Sequence, residues 1–234
     1  MRKHMNFRIR NKITRLSQKV RLPRLYRLIR KNPVNDEWGF NRGLPIDRHY
    51  IEKFVQANKS LIQGKVLSIG DDYHAKKYSE NLESSDILHV NNTPEATIVA
   101  DLTNAPNIPS DSFDCILLIQ TLQLIFNTDA AIETCQRILK PGGVIILTAP
   151  GITPLKDEEW NDFWCWSFTT HSMQQILAAH FPTGNIKIHS YGNIDSACGF
   201  LHGLGPKDLP HESLSKEDPR FPVIISGIAR NTLD

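Results

Sequence analysis

The sequence predicts an α/β protein: a doubly wound, mostly parallel sheet with helices on both faces. Two observations lead there. Short apolar runs recur along the chain and are continuous rather than alternating, as in strands buried on both faces. They come in the order strand, connection, strand, helix, strand, the grammar of right-handed crossovers that build a parallel sheet. At 234 residues the chain suits one such domain, and two would be cramped.

Each element has its own local signal. Residues 32–45 hold Pro33, Gly39, Gly43 and Pro45 and read as irregular. Asp47 is placed to cap the next helix, whose Tyr50, Ile51, Phe54 and Val55 share one face. Residues 65–70 read as a short buried strand stopped by Gly70. A second strand is expected at 87–90, a short third at 97–99 and a strong fourth at 113–119. Residues 130–139 form a helix with Ile132, Cys135, Ile138 and Leu139 inward and Thr128 or Asp129 as its cap. Pro141-Gly142-Gly143 stops it and turns into a fifth strand at 144–148. Beyond residue 150 the pattern loosens. An aromatic loop holds Trp160, Phe163, Trp164, Trp166 and Phe168; a helix is expected at 172–180, and closing strands at 186–191 and 223–230.

Composition narrows the function classes. Apolar residues make up 40% of the chain, enough for a core. No stretch approaches the roughly 18 apolar residues of a membrane span, and no apolar run follows the basic N-terminus as in a secretory signal. Cys115, Cys135, Cys165 and Cys198 stand apart, with no zinc or redox pair among them. Reduced, structural thiols and a cytoplasmic location are the expectation, with no metal site.

Charge divides the chain. Residues 1–31 hold twelve Lys or Arg and no Asp or Glu, which leaves fifteen basic and all 25 acidic residues, a net of −10, for the other 203. We therefore read 1–31 as a basic arm and 32–234 as a single domain, with a ligand-binding half at about 64–150. Ile9, Ile13, Leu16 and Val20 give the arm a weak amphipathic pattern before Pro23. A solvated tail, an anchor on an anionic membrane surface, and a contact for nucleic acid or an acidic partner all fit it. Nucleic acid is the least supported, because the chain shows no binding module and no aromatic stacking platform.

In a doubly wound sheet the ligand lies beyond the carboxyl ends of the strands. Gly70 ends the first strand and lets the backbone approach a ligand. Asp71 and Asp72 follow it, so there is no G-x-G-x-x-G, and a pyrophosphate would meet two carboxylates. That argues against NAD and FAD.

Four segments in sequence, Val66-Leu67-Ser68-Ile69-Gly70, Ala100-Asp101-Leu102, Phe113-Asp114-Cys115-Ile116 and Leu139-Lys140-Pro141-Gly142-Gly143, resemble the class I S-adenosylmethionine-dependent methyltransferases, a Rossmann-like family, over about residues 64–150. The stretch is similar to the small "type 11" methyltransferase domain. Asp36-Glu37-Trp38-Gly39, the run from Arg42 to Arg48, and Phe200-Leu201-His202-Gly203 resemble a subset of that family found alongside glycosyltransferases. The resemblance implies S-adenosyl-L-methionine as cofactor. Gly70 and Asp71 would lie at its methionine end and Asn91 near the ribose hydroxyls. Asp101 would take a hydrogen bond from the adenine amino group, Leu102 would offer its backbone N–H to the ring, and Gln120 would face the transferred methyl. Trp38, Phe40, Arg42 and Tyr50, with Trp164 and its loop, would wall the acceptor site, and Arg42 and Arg48 would steer an anionic acceptor. His202 and His171 are the candidate bases. The chain departs from the family pattern at Ser68 and near Asn91, where acidic residues are usual, and at Asp72, where a second glycine is usual.

Each residue also has a plainer reading. Gly70 could only end a strand, Asp101 cap a turn, Asp114 face solvent, the aromatic loop cover core, and the two histidines be ordinary polar residues. Two functions compete. The first is methyl transfer to a small-molecule or glycan acceptor. The second is a non-catalytic binding or scaffold protein of the same fold, docked through its arm on a membrane or a glycosyltransferase.

Overall fold

The structure, a computed structural model, describes residues 32–155 and 162–232. The chain divides into two units, Met1–Val34 and Asn35–Asp234, and every strand and helix among the described residues belongs to the second. The basic arm and Trp160 lie outside the described residues.

Seven strands form one sheet in the order β3-β2-β1-β4-β5-β7-β6. They are β1 (Gln63–Ile69), β2 (Asn81–His89), β3 (Ile98–Val99), β4 (Phe113–Ile119), β5 (Leu139–Pro150), β6 (Ile186–Tyr191) and β7 (Ile224–Arg230). The first five pair in parallel, while β7 runs antiparallel to both β5 and β6. The order reverses between β1 and β4, which sets the switch point where such sheets take ligands.

Two apolar layers flank the sheet. One contains α3 (Thr128–Ile138) and α4 (Thr170–Ala178), packed through Ile132, Cys135, Met173 and Leu177 onto Leu118, Ile145 and Leu147. On the other side, α1 (Ile46–Ala57), α2 (Tyr73–Tyr78), α5 (Ile194–Leu201) and α6 (His211–Ser215) cover Val66, Cys115, Leu117 and Ile146. Cys115 and Cys135 are buried and free, and burial pushes the Cys135 thiol up to about 12, which leaves it an inert core group.

Several expectations shift. β2 begins at Asn81, six residues before its apolar run, because Gln63–Ile69 pairs with it throughout; a backbone ladder needs no apolar side chains. Leu139 and Val144 pair with Phe113 and Cys115, so Lys140–Gly143 loops out of register within β5. Asn127, not Thr128 or Asp129, caps α3, accepting from the Ala130 N–H at 3.2 Å. Asp47 does not cap α1. Pro45 holds that position, and the Asp47 carboxylate accepts from the next N–H, that of Arg48, at 2.7 Å. Asp114 is not turned to solvent: it accepts from the Lys65 N–H at 2.9 Å and Lys140 Nζ at 2.8 Å, tying three strands together.

Candidate active site

The parallel strands end together, and their carboxyl ends place Gly70, Asn91, Asp101 and Gln120 along one edge of the sheet. Gly70 has φ +86°, and a Cβ there would meet no atom within 4 Å. The backbone is thus bare and open at the switch point. One strand across, Gln120 also has positive φ, +50°, and its N–H donates to the Thr148 carbonyl at 3.0 Å. Non-glycine residues adopt that conformation only under tertiary constraint.

The other expected cofactor residues line this edge. Asp71 is exposed and its Oδ1 accepts from the Tyr73 N–H at 2.9 Å. Asn91 is exposed, its N–H held by His89 Nδ1 at 3.0 Å. Asp101 Oδ1 takes the N–H and hydroxyl of Thr103 at 2.9 and 2.8 Å, a turn beside the buried Leu102. Its other carboxylate oxygen has no partner among the described residues. Asp72, the residue in place of the second glycine, is paired to Lys76 at 2.8 Å within α2. An open strand end and an Asp101 oxygen left free are what an adenosyl group with an amino acid tail needs, and in these respects the residues fit S-adenosylmethionine.

Beside Gln120 opens a cavity of about 280 Å³. Aromatic side chains from three distant segments meet there: Trp38 and Phe40, Trp164, and Phe200 of α5. Its polar lining is Asp47, Arg48, Gln120, Gln123 and Thr153. Trp38 is fixed by its indole N–H on the Pro154 carbonyl at 3.1 Å. Burial pushes the half-buried Asp47 carboxyl above the ordinary carboxylate range, against the pull of the Arg48 charge and N–H. The Arg48 side chain has no hydrogen-bond partner among the described residues.

The remaining expectations divide. Trp38 and Trp164 line the cavity as expected of wall residues. Tyr50 does not: it is 0% exposed, stacked on Tyr191 with ring centres 5.8 Å apart, and belongs to the core. Arg42 is also outside the lining. Asp208 engages its guanidinium twice, at 2.7 and 2.6 Å, so its charge is already answered. Of the two arginines expected to steer an anion, only Arg48 reaches the cavity. His202 ends α5 and His171 is exposed in the first turn of α4, and neither lines it. The aromatic loop splits, with Trp164 in the cavity, Phe168 in the core, and Trp166 outside against Phe126. Asp47, Gln123 and Thr153 are among the cavity residues that sequence reasoning missed. Asp47 carries the pattern of a helix start, which hides it, and Gln123 gives no local signal.

A family model described as "Methyltransferase domain" matches residues 68–147. No curated protein sequence matches the chain. Among solved structures, an S-adenosylmethionine-dependent methyltransferase from Mesorhizobium loti is 15% identical with a TM-score of 0.52, covering 76% of this chain and 95% of that one. One from Thermotoga maritima is 14% identical with a TM-score of 0.53, covering 82% and 95%. The cyclase SpnF is as similar, at 15% identity and 0.52, covering 79% and 81%, so the shared fold serves more than one chemistry. Residues 68–147 match the methyltransferase-domain model, and the chain shares the fold of these solved S-adenosylmethionine-dependent methyltransferases.

Proposed function

We propose that the protein methylates a small-molecule or glycan acceptor held in the Trp38–Trp164 cavity. The observation that supports this best is the cavity's place: it adjoins Gln120 at the end of β4, one strand from the open Gly70 end of β1. When bound, S-adenosylmethionine supplies a methyl group on a positively charged sulfur. The chain's own residues do the rest. Gly70 and Asp71 take the methionine end, Asn91 the ribose, and Asp101 with the Leu102 N–H the adenine. Gln120 stands between the two compartments. Trp38, Phe40 and Trp164 keep water from the acceptor and fix its plane, and orientation of this kind is worth roughly 7–11 kcal/mol. Asp47, made more basic by burial, takes the proton of an acceptor hydroxyl at its carboxylate, a contribution on the order of 10²–10⁴-fold.

Calorimetry with S-adenosylmethionine tests the reading. Micromolar binding that Asp101→Ala weakens tenfold or more, about 1.4 kcal/mol, is the expected result. A folded chain that binds none would favour the non-catalytic scaffold instead, the reading that the Ser68 and Asn91 departures support. For residues 1–31, the excess of positive charge supports a contact with an anionic membrane surface or a glycosyltransferase. No described helix is long and apolar enough to cross a membrane.

A further inference from the structure

Four of the five arginines among the described residues have hydrogen-bonded guanidinium groups. Arg42 is held by Asp208, Arg137 by the Ile108 and Ala105 carbonyls, Arg220 by Asp218 and Arg230 by the Gly142 carbonyl. Arg48 is the exception, although it is partly buried rather than exposed. The two carboxylates nearest to it along α1 are engaged otherwise. Asp47 accepts from the Arg48 backbone N–H, not from the side chain. Glu52, one helical turn further along the same face, is drawn to α2 instead. It accepts from Lys77 Nζ at 2.5 Å and from the Tyr78 hydroxyl, and its Oε1 lies 3.2 Å from His74 Nε2. A guanidinium cannot shed its charge and has only donors, so Arg48 is left with an unanswered positive charge.

Its position says which anion would answer it. Arg48 lines the cavity together with Gln120, one strand from the Gly70 end of β1. His74, in the first turn of α2, connects it to that end. Burial above all holds His74 below the ordinary imidazole range; the Glu52 and Asp71 carboxylates act upward on it and the Arg48 charge acts downward. His74 therefore stands within electrostatic reach of both Asp71 and Arg48. Of the two carboxylates that follow Gly70, Asp72 is paired to Lys76, and Asp71 has no ion pair among the described residues. The open strand end thus has one unpaired carboxylate and one unpaired guanidinium near it. A phosphate would be repelled by Asp71. A zwitterion offers an ammonium to one and a carboxylate to the other, and a guanidinium takes a carboxylate through two parallel hydrogen bonds. We propose that Arg48 binds the α-carboxylate of the cofactor's amino acid tail while Asp71 takes its α-ammonium. Arg48 then serves the cofactor rather than an anionic acceptor, an assignment that rests on the S-adenosylmethionine reading.

Calorimetry on the full chain tests it with two probes: S-adenosylhomocysteine and its decarboxylated analogue, which keeps the adenosine and the amine and lacks only the carboxylate. Wild type should bind S-adenosylhomocysteine about tenfold or more tighter than the analogue. Arg48→Gln should weaken S-adenosylhomocysteine by about tenfold or more and should not weaken the analogue, so that the preference disappears. Undiminished binding of the analogue also shows that the variant is folded with its adenosine site intact. The proposal is overturned if Arg48→Gln binds S-adenosylhomocysteine like wild type, if it loses both ligands equally, or if wild type does not distinguish them. Those three results leave the S-adenosylmethionine reading standing. A wild-type chain that binds neither probe sinks that reading, and the role of Arg48 with it.

Discussion

Removing the Asn193 side chain should loosen the helix that carries one wall of the cavity. Asn193 is buried at the start of α5, the helix that brings Phe200 to the site. Its Oδ1 accepts from the N–H groups of Asp195 and Ser196 at 2.9 and 3.0 Å, and its Nδ2 donates to the carbonyls of Ser213 and Lys216 at 2.7 and 2.5 Å. One side chain thus caps α5 and ties it to α6. Asn193→Ala loses the cap, about 1 kcal/mol, and leaves two carbonyls without that donor, about 1 kcal/mol each. The total of about 3 kcal/mol corresponds to a fall in Tm of roughly 6–12 °C for a chain of this size. Asn193→Ser keeps a capping oxygen and loses only the carbonyl bonds, so it should fall about two-thirds as far. Thermal unfolding followed by circular dichroism measures both. An alanine variant within about 3 °C of wild type, or a serine variant as stable as wild type, would refute the bookkeeping.

Two more outcomes follow from the geometry. Gly39 has φ +99°, and a Cβ there would lie 2.8 Å from the Leu204 carbonyl oxygen; Gly39→Ala should displace the flanking Trp38 and Phe40 and abolish acceptor-site binding while S-adenosylhomocysteine affinity, read by calorimetry, stays unchanged. The Asp208 carboxyl is held down to about 2, first by Arg42 and then by the Gly205 N–H. A folded value below the unfolded one of about 3.9 means a stabilisation fully present above about pH 4 and lost as the pH falls through about 2. The stability gap between wild type and Asp208→Asn in urea unfolding should close across that window, and a gap constant with pH would count against the pairing.

The sequence was most legible where one element decides its own environment. β4 and β6 run as expected at 113–119 and 186–191. For β4 the signal is burial between two parallel neighbours, which demands a continuous apolar run. The polar half of β2 was invisible because its ladder is made by backbone atoms that every residue has. The capping residue of α3 was missed by one position, since Asn, Thr and Asp can all supply the oxygen and only the path of the chain selects among them. The strand-end residues of the family pattern lay at the sheet edge because strand ends are themselves local features.

The cavity was a different kind of problem. Tyr50 and Asp47 share a helix; the family resemblance put Tyr50 at the acceptor although its spacing set it on the apolar face, and the local pattern made Asp47 the cap. The fold reversed them, burying Tyr50 against Tyr191 and placing Asp47 in the lining. Arg42 and Arg48 looked alike until Asp208, far along the chain, engaged one and left the other at the cavity. The sequence by itself determined the mostly parallel sheet, its glycine-ended first strand and the positive charge of residues 1–31, because periodicity, punctuation and charge are written in neighbouring residues. Only the tertiary structure decided which side chains meet beside Gln120 and which polar atoms there stay unpaired. Burial and hydrogen bonding at that point depend on segments that no local pattern relates to one another.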